Sequence, residues 1–444
     1  MDDRAIVIGA GVAGLAAARV LNRRYANVTV LERDTLPYGP VPRRGVPQGE
    51  HPHILLVGGL RELSALFPGF ETELLTLGGT ALETGADICA YRLGRRWPVA
   101  PTGFAMISVT RPQLEAVLRA RVTALPGVTV HDQVAVAGLA GRVGQVTGVV
   151  LDSGETLDAA LVVDCSGRGS RSDRWLGSLG LEPPGQIEVK AGVTYSTRLY
   201  RRRPGDLGPW RAALVLPAGP RESMSAVALP VEGDRWIVGL GGWHVAEPPA
   251  TPTAFQEYAR QLPDPLVAAL ISRAEPLSDV TVARFPSSRR RLFEKAAQSP
   301  AGYVALGDAV CSFNPIYGQG MTCAARQAKA LGDTLDRHQR VPDAAMVRDF
   351  YEAAARINET PWRSAVGGDF TFPGTTGPRP RGIALRNWYA RQVTYASQVD
   401  ASVYRIATGV QHLVDPPSVL LRPGFAARVL RQARIGRRAP AVPR

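Results

Sequence analysis

Arg4-Ala5-Ile6-Val7-Ile8-Gly9-Ala10-Gly11-Val12-Ala13-Gly14 decides the fold of this 444-residue chain. Arg4 to Ile8 is a short apolar strand, the glycines follow at once, an Ala-rich helix runs to about Leu21, and Val28 to Leu31 is a second strand ending in Glu32. Each glycine has a physical task. Gly9 makes the tight turn, Gly11 lets a pyrophosphate approach the backbone, and Gly14 lets the helix pack closely on the sheet. Glu32 falls where a carboxylate can take the ribose hydroxyls of an adenosine. A Gly-rich turn between two core elements would share the composition, but the strand-turn-helix-strand context with the acid in place predicts a dinucleotide site.

The fingerprint does not separate a nicotinamide from a flavin cofactor, and a second stretch does. Ala305-Leu306-Gly307-Asp308-Ala309-Val310-Cys311-Ser312-Phe313-Asn314-Pro315-Ile316-Tyr317-Gly318-Gln319-Gly320-Met321-Thr322 reads as a strand ending at Gly307-Asp308, then a turn that delivers the chain into a helix from about Thr322 to Leu335. Asp308 at a strand end can accept hydrogen bonds from ribityl hydroxyls. Gly318 and Gly320 let main-chain N–H groups approach a negative charge, and the helix points its positive end at the same place. A reduced flavin is such a charge, so the two stretches together imply FAD.

The formal charge of +13 is almost all arginine, since Lys190, Lys295 and Lys329 are the only lysines. The arginines are dispersed, without interleaved aromatics or zinc spacing, so no nucleic-acid partner is expected. The exception is the tail, where Arg422, Arg428, Arg431, Arg434, Arg437 and Arg438 share a helix-like segment with Leu420, Leu421, Phe425, Val429 and Leu430. Such a segment can graze an anionic membrane, although a terminal helix packed on the body is the favoured reading. Cys89, Cys165, Cys311 and Cys323 lack CxxC or metal spacing and read as reduced thiols, and no metal is expected. The first strand begins within a few residues of Met1 and no run is long enough to cross a bilayer, so a cytoplasmic protein without a signal peptide is expected.

The patterns predict an α/β chain with a discontinuous Rossmann-type FAD-binding domain at 1–75, 105–180 and 282–345. A second β-sheet substrate domain is expected at 76–104 and 181–281, covering the flavin and shaping a cavity, followed by a helical C-terminal extension at 346–444 broken by the Pro/Gly-rich segment 372–382. Trp210, Trp236, Trp243, Phe104 and Tyr317 are candidate apolar lining, although such residues are more often plain core.

Two further stretches carry chemistry. Asp164-Cys165-Ser166-Gly167-Arg168-Gly169-Ser170-Arg171 follows the strand Leu161 to Val163 and reads as a loop lying against the cofactor, although an ordinary strand-to-helix turn has a similar composition. In Arg43-Arg44-Gly45-Val46-Pro47-Gln48-Gly49-Glu50-His51-Pro52-His53 the arginines can hold a pyrophosphate or a nicotinamide phosphate. His51 and His53, two apart with no third ligand nearby, read as structural or cavity-lining rather than metal-binding. Arg111 opens a helix and can reach the phosphates, or stand solvated at the helix start.

With these residues in place, the chain resembles flavoprotein monooxygenases of the para-hydroxybenzoate hydroxylase fold, most of all bacterial polyether-type (polyene) epoxidases and their natural-product relatives. The resemblance covers most of the chain, and Phe313 to Met321 is its most specific piece. It implies FAD contacts from Gly9, Gly11, Gly14, Glu32, Arg33, Arg44, Arg111, Asp308, Gly318, Gly320 and Met321, with Pro315, Gly318, Gln319 and Gly320 forming the flavin-ring loop. Glu50 stands where relatives commonly carry a basic residue, and Cys165 where the hydroxylases have glycine. The implied reaction is epoxidation or hydroxylation of an apolar unsaturated small molecule (a polyene, polyketide, terpenoid or aromatic) by O2 through a C4a-hydroperoxyflavin. NAD(P)H or a partner flavin reductase is the expected electron source, and no side chain need be a dedicated catalytic base. Two rivals share the flavin site: a reductase of isoprenoid double bonds, and a flavoprotein cyclase with no net redox change. A flavin halogenase is disfavoured because no Trp-x-Trp-x-Ile-Pro motif is present.

Overall fold

The computed structural model describes residues 3–438. Its first sheet is five-stranded, in the order Tyr303–Ala305, Leu161–Asp164, Arg4–Ile8, Asn27–Leu31, Val128–His131, with every pairing parallel. Both faces are covered, which is why the central strands read as unbroken apolar runs: Ala5, Ile6, Val7, Val30, Leu161, Val162, Val163, Val304 and Ala305 are fully buried. The helices Val12–Leu21 and Gly320–Arg337 pack against one another on this sheet, and Arg111–Thr123 abuts the first of them. The last of these starts on Thr110, whose hydroxyl accepts from the Gln113 amide, with Pro112 in the first turn.

The second sheet has seven strands, in the order Thr281–Phe285, Val193–Arg201, Arg235–Trp243, Met224–Val231, Ala212–Val215, Ile88–Arg92, Arg95–Arg96. Thr281–Phe285 pairs antiparallel with Val193–Thr197, so the expected domain boundary at 282 falls inside a strand of this sheet. The alternation along Arg235–Trp243 sets its two faces. Trp236, Val238 and Leu240 join Tyr200 and Phe255 beneath the helices Pro252–Arg260 and Leu266–Arg273, whereas Ile237 lies in a separate cluster with Phe104, Leu82 and Val57. On that second face a Cβ at Gly239 would stand 2.8 Å from Pro52, so glycine lets the 51–54 segment lie flat against the sheet.

The C-terminal extension is helical: Ala344–Asp369, Ile383–Ser397, Ala401–Gln411 and Pro423–Arg438. Asp343 caps the first helix on the Met346 amide at 2.8 Å, placing its start two residues before the expected boundary. The Arg-rich terminal helix packs on Ile383–Ser397 through Val429 and Ala433, and a Cβ at Gly436 would strike the Tyr395 carbonyl at 2.1 Å. Arg428 forms a two-bond ion pair with Asp400 at 2.7 and 3.0 Å. Among the described residues no helix is long and apolar enough to cross a membrane.

Candidate flavin site

At the head of the first sheet Gly9 has φ +100 and donates to the Leu31 carbonyl at 2.7 Å; a Cβ there would lie 2.7 Å from the Cys165 carbonyl oxygen. Gly14 is tighter still, its Cβ position 1.8 Å from the Gly9 carbonyl oxygen, so only glycine lets the helix seat on the strand. Gly11 differs. The nearest atoms to its Cβ position are Arg43 Nη2 and Glu115 Oε1, both at 3.9 Å, and no side chain caps the helix it begins. An open, uncapped helix start with space before its middle glycine fits an incoming pyrophosphate.

Glu32, buried at the end of the second strand, accepts from the Ala10 amide at 2.8 Å and the Asp34 amide at 3.1 Å. The arginine brought to it is Arg43, not Arg44. Arg43 Nη1 lies 3.0 Å from Glu32 and 3.1 Å from Asp34, and its Nε is 3.5 Å from Glu115. Burial opposes the Arg43 charge, but Glu32, Glu115 and Asp34 together outweigh burial and raise the guanidinium pKa above its ordinary value. Arg44 and Arg33 are exposed. Adjacent arginines in an irregular segment offer no periodicity to show which turns inward. Arg111 reaches Glu115 at 2.7 Å, so one buried carboxylate holds two guanidiniums beside Gly11.

Asp308 closes the site from the other side. Gly307 has φ +66 and donates to Gln327 Oε1 at 2.8 Å, which turns the chain so that Asp308 stands over the next helix start. A Cβ at Gly320 would be 3.5 Å from Asp308 Oδ1. The half-buried carboxylate has no hydrogen bond within the protein. Burial pushes its pKa up, and the nearby Arg111 and Arg168 oppose that shift. An unmated carboxylate beside two guanidiniums suits ribityl hydroxyls. At the helix start itself Gln319 Oε1 and Thr322 Oγ1 are also buried without partners, and Met321 is buried. The left-handed residue of the turn is Gly318, with φ +66, facing the Ile54 carbonyl; Gly320 is the first helical residue. Pro315 begins the short turn of Pro315–Tyr317 that precedes them.

The Asp164 loop is held by its own bonds. Asp164 accepts from Ser166, from Ser170 at 2.5 Å and from the Tyr303 hydroxyl at 3.2 Å, while Arg168 turns to Ser287, Ser312 and the Phe285 ring. Cys165 presents its carbonyl to Gly9 and needs no glycine at its own position. His51 bonds Thr197 at 2.8 Å, stacks edge-on to Tyr195 and is pushed down to about 4 by burial; His53 Nδ1 meets the His51 carbonyl at 2.9 Å. His51 thus ties the 51–54 segment to the second sheet, and His53 bonds within the segment. Among the described residues no three His, Cys, Asp or Glu side chains gather as a metal site. Of the five aromatic candidates, Trp243 and Tyr317 share a cluster beside the turn Pro315–Tyr317, Phe104 lies in the apolar cluster that also takes in Ile54, and Trp236 and Trp210 belong to the opposite, helix-covered face. A cleft of about 180 Å³ separates Pro40, Pro42, Gly49 and Glu50 from Thr197, Leu199 and Ile237 of the sheet.

A parallel sheet with an open glycine-rich helix start, a ribose-type carboxylate and a distant Gly-Asp turn beside a second helix start define a protein of the FAD-dependent monooxygenase fold. Residues 7–53 match the NAD(P)-binding Rossmann-like domain. The chain belongs to the family of Protein Rv3254 of Mycobacterium tuberculosis, to which it is 35% identical over 396 residues, 85% of this chain and 83% of that protein. A shorter match, 32% over 149 residues, links it to kynurenine 3-monooxygenase of Xanthomonas axonopodis, covering 31% of this chain and 30% of that enzyme. Among solved structures, PqsL of Pseudomonas aeruginosa, a probable FAD-dependent monooxygenase, superposes with a TM-score of 0.62 over 83% of this chain and 97% of that one at 17% identity, a likeness of fold.

Proposed function

We propose that this protein is a flavin-dependent monooxygenase that holds FAD along Gly9, Gly11, Gly14, Glu32, Arg43, Arg111 and Asp308, with the ring at Pro315–Met321. The observation that carries the reading is Asp308: a half-buried carboxylate with no internal hydrogen bond, between Arg111 and Arg168 and over the start of Gly320–Arg337. The flavin, when bound, supplies the electrons and the activation of O2. The chain's own residues orient and desolvate. Arg43 and Arg111 offset the carboxylates of Glu32, Asp34 and Glu115 beside the helix start where phosphates would arrive, and the close approach of Pro52 to Gly239 seats residues 51–54 flat on the second sheet.

The substrate in this reading is an apolar unsaturated molecule of natural-product type, epoxidised or hydroxylated where Trp243, Tyr317 and Ile316 meet the second sheet. Electrons come from NAD(P)H directly or from a partner flavin reductase. The test is chromatography of the heat-released cofactor, followed by oxygen uptake with NADPH, with and without an added reductase, across a panel of polyenes and aromatics with labelled O2. Absence of FAD after reconstitution would refute the reading. Anaerobic turnover would transfer it to double-bond reduction, and turnover with oxidised flavin alone to cyclisation.

A further inference from the structure

The first helix of the C-terminal extension, Ala344–Asp369, ends on a side chain that none of the flavin contacts uses. Asp369 is fully buried, and its Oδ1 takes three donors from two other parts of the chain: Asn314 Nδ2 at 2.8 Å and the Tyr317 hydroxyl at 3.3 Å from the flavin-facing turn, and Trp243 Nε1 at 3.0 Å from the end of a substrate-sheet strand. Its Oδ2 is buried with no partner at all. The preceding residue is shaped for this contact, since a Cβ at Gly368 would lie 2.1 Å from the Tyr317 hydroxyl. Thr375 closes the corner by donating to the Asp369 carbonyl at 2.7 Å.

We propose that Asp369 is a positioning residue for the flavin-facing turn Asn314–Gly318, and that gain of a proton on its unmated oxygen loosens that turn. The proposal rests on reading this turn as the flavin-ring loop. The physical case is the asymmetry of the carboxylate. As an anion it makes three charge-assisted bonds through one oxygen and leaves the other, equally charged, without a partner in a dry site. Protonation of Oδ2 removes that cost and at the same time weakens the three bonds that hold Asn314, Tyr317 and Trp243. Burial pushes the Asp369 pKa up to about 6, against the pull of Asn314, Trp243 and Tyr317. The groups facing this junction are the Tyr317 phenol itself, Arg92 beyond Tyr317, and His244, which packs on Gly374; among the described residues none forms an ion pair with Asp369. Its charge is therefore controlled by burial and by three neutral donors.

The experiment titrates the FAD-loaded chain from pH 7.5 to 5 while following flavin absorption, FAD dissociation constant and flavin potential in the native protein and in Asp369→Asn. Asparagine keeps an acceptor for the three donors but cannot titrate. In the native protein FAD affinity should fall by about tenfold through a transition near pH 6, since charge-assisted bonds are about twice as strong as neutral ones, and in Asp369→Asn the curve should be flat. The same transition in Asp369→Asn overturns the proposal, as does a variant that only melts earlier while affinity and potential keep their native pH dependence. Should Asp369→Asn fail to fold, Tyr317→Phe removes one donor and should move the midpoint upward; an unmoved midpoint overturns the proposal. If the native chain holds no flavin, the functional reading fails by itself. The junction is then tested by tryptophan fluorescence of the apo protein across the same pH range, with a transition that Asp369→Asn abolishes as the expected result and its persistence as the overturning one.

Discussion

Arg43 Nη1 lies 3.0 Å from Glu32 Oε2, inside a cage that also contains Asp34 and Glu115. One guanidinium thus neutralises carboxylates from the second strand, the turn after it and the helix Arg111–Thr123, beside the open face of Gly11. Removing it leaves three carboxylates crowded together with only Arg111 nearby. Arg43→Ala should therefore cost about 3–5 kcal/mol of stability, the range for breaking a buried pair, and lower FAD affinity. Arg44→Ala, at an exposed site, should stay within about 0.5 kcal/mol. Urea denaturation and flavin titration of both variants check the contrast, and equal effects would return the role to Arg44.

The three fingerprint glycines should fail in different ways. Gly14→Ala forces a methyl into the Gly9 carbonyl, 1.8 Å away, and should yield little folded protein. Gly11→Ala meets nothing closer than 3.9 Å and should fold with near-native melting temperature. Its methyl nonetheless occupies the approach of the pyrophosphate, so flavin should be lost. Calorimetry beside flavin absorbance separates the two outcomes; native flavin content in Gly11→Ala removes that residue from the site.

Asp308→Asn should weaken FAD binding by about 1.5–3 kcal/mol, the range for hydrogen bonds to a charged group. The apo protein should melt at the same temperature or slightly higher, because the native carboxylate is disfavoured by burial and makes no internal hydrogen bond. A large loss of apo stability with unchanged affinity would make Asp308 a structural residue.

Acid should destabilise the protein in a way its buried histidines predict. His51 and His412 are pushed down to about 4 by burial, from 6.5. Groups with lowered folded pKa contribute stability that is present above 6.5 and lost as pH falls through about 4. Each is worth about 3 kcal/mol at about 1.4 kcal/mol per unit. Asp369 has the opposite sign: its pKa is raised from 3.8 to about 6, so its contribution is present below 3.8 and lost as pH rises through about 6. His53 is likewise pushed down to about 4 by burial, and three histidines against one aspartate leave a net loss of about 6 kcal/mol between pH 6.5 and 4 from these groups. His412→Asn, which keeps an acceptor for the Val57 amide that His412 Nδ1 takes at 3.3 Å, should reduce the acid loss by about 3 kcal/mol. Urea melts at four pH values measure it, and an unchanged slope in the variant would show that His412 titrates normally in the fold.

Gly318→Ala places a side chain at φ +66 and should cost about 1 kcal/mol, whereas Gly320→Ala, helical and with 3.5 Å to Asp308, should be tolerated by the backbone. Thermal melts of the two variants test whether the strained position of the turn is the first or the second glycine.

The Rossmann strand-turn-helix was legible because its information is local. An unbroken apolar run in Ala5–Ile8, three glycines at fixed offsets and an acid at the next strand end each depend on atoms a few residues apart. The same holds for Gly307-Asp308 and for the helix after it, whose existence follows from composition and spacing alone. Hence both strand-turn-helix elements could be read from the chain before any contact was known.

Tertiary structure alone decided which of two adjacent arginines faces Glu32, because residues 36–46 form no helix or strand and so have no period; their orientation is set by carboxylates at positions 34 and 115 that only the fold assembles. It also decided that Thr281–Phe285 joins the second sheet, a matter of pairing across some 80 residues. Asp369 shows the limit most plainly. In sequence it is one acid at the end of an amphipathic helix, 55 positions after Asn314, and only packing that removes water from around it turns it into the common acceptor of Asn314, Tyr317 and Trp243. Local chemistry is carried by the order of residues along the chain, while burial and long-range hydrogen bonding exist only once that chain has closed on itself.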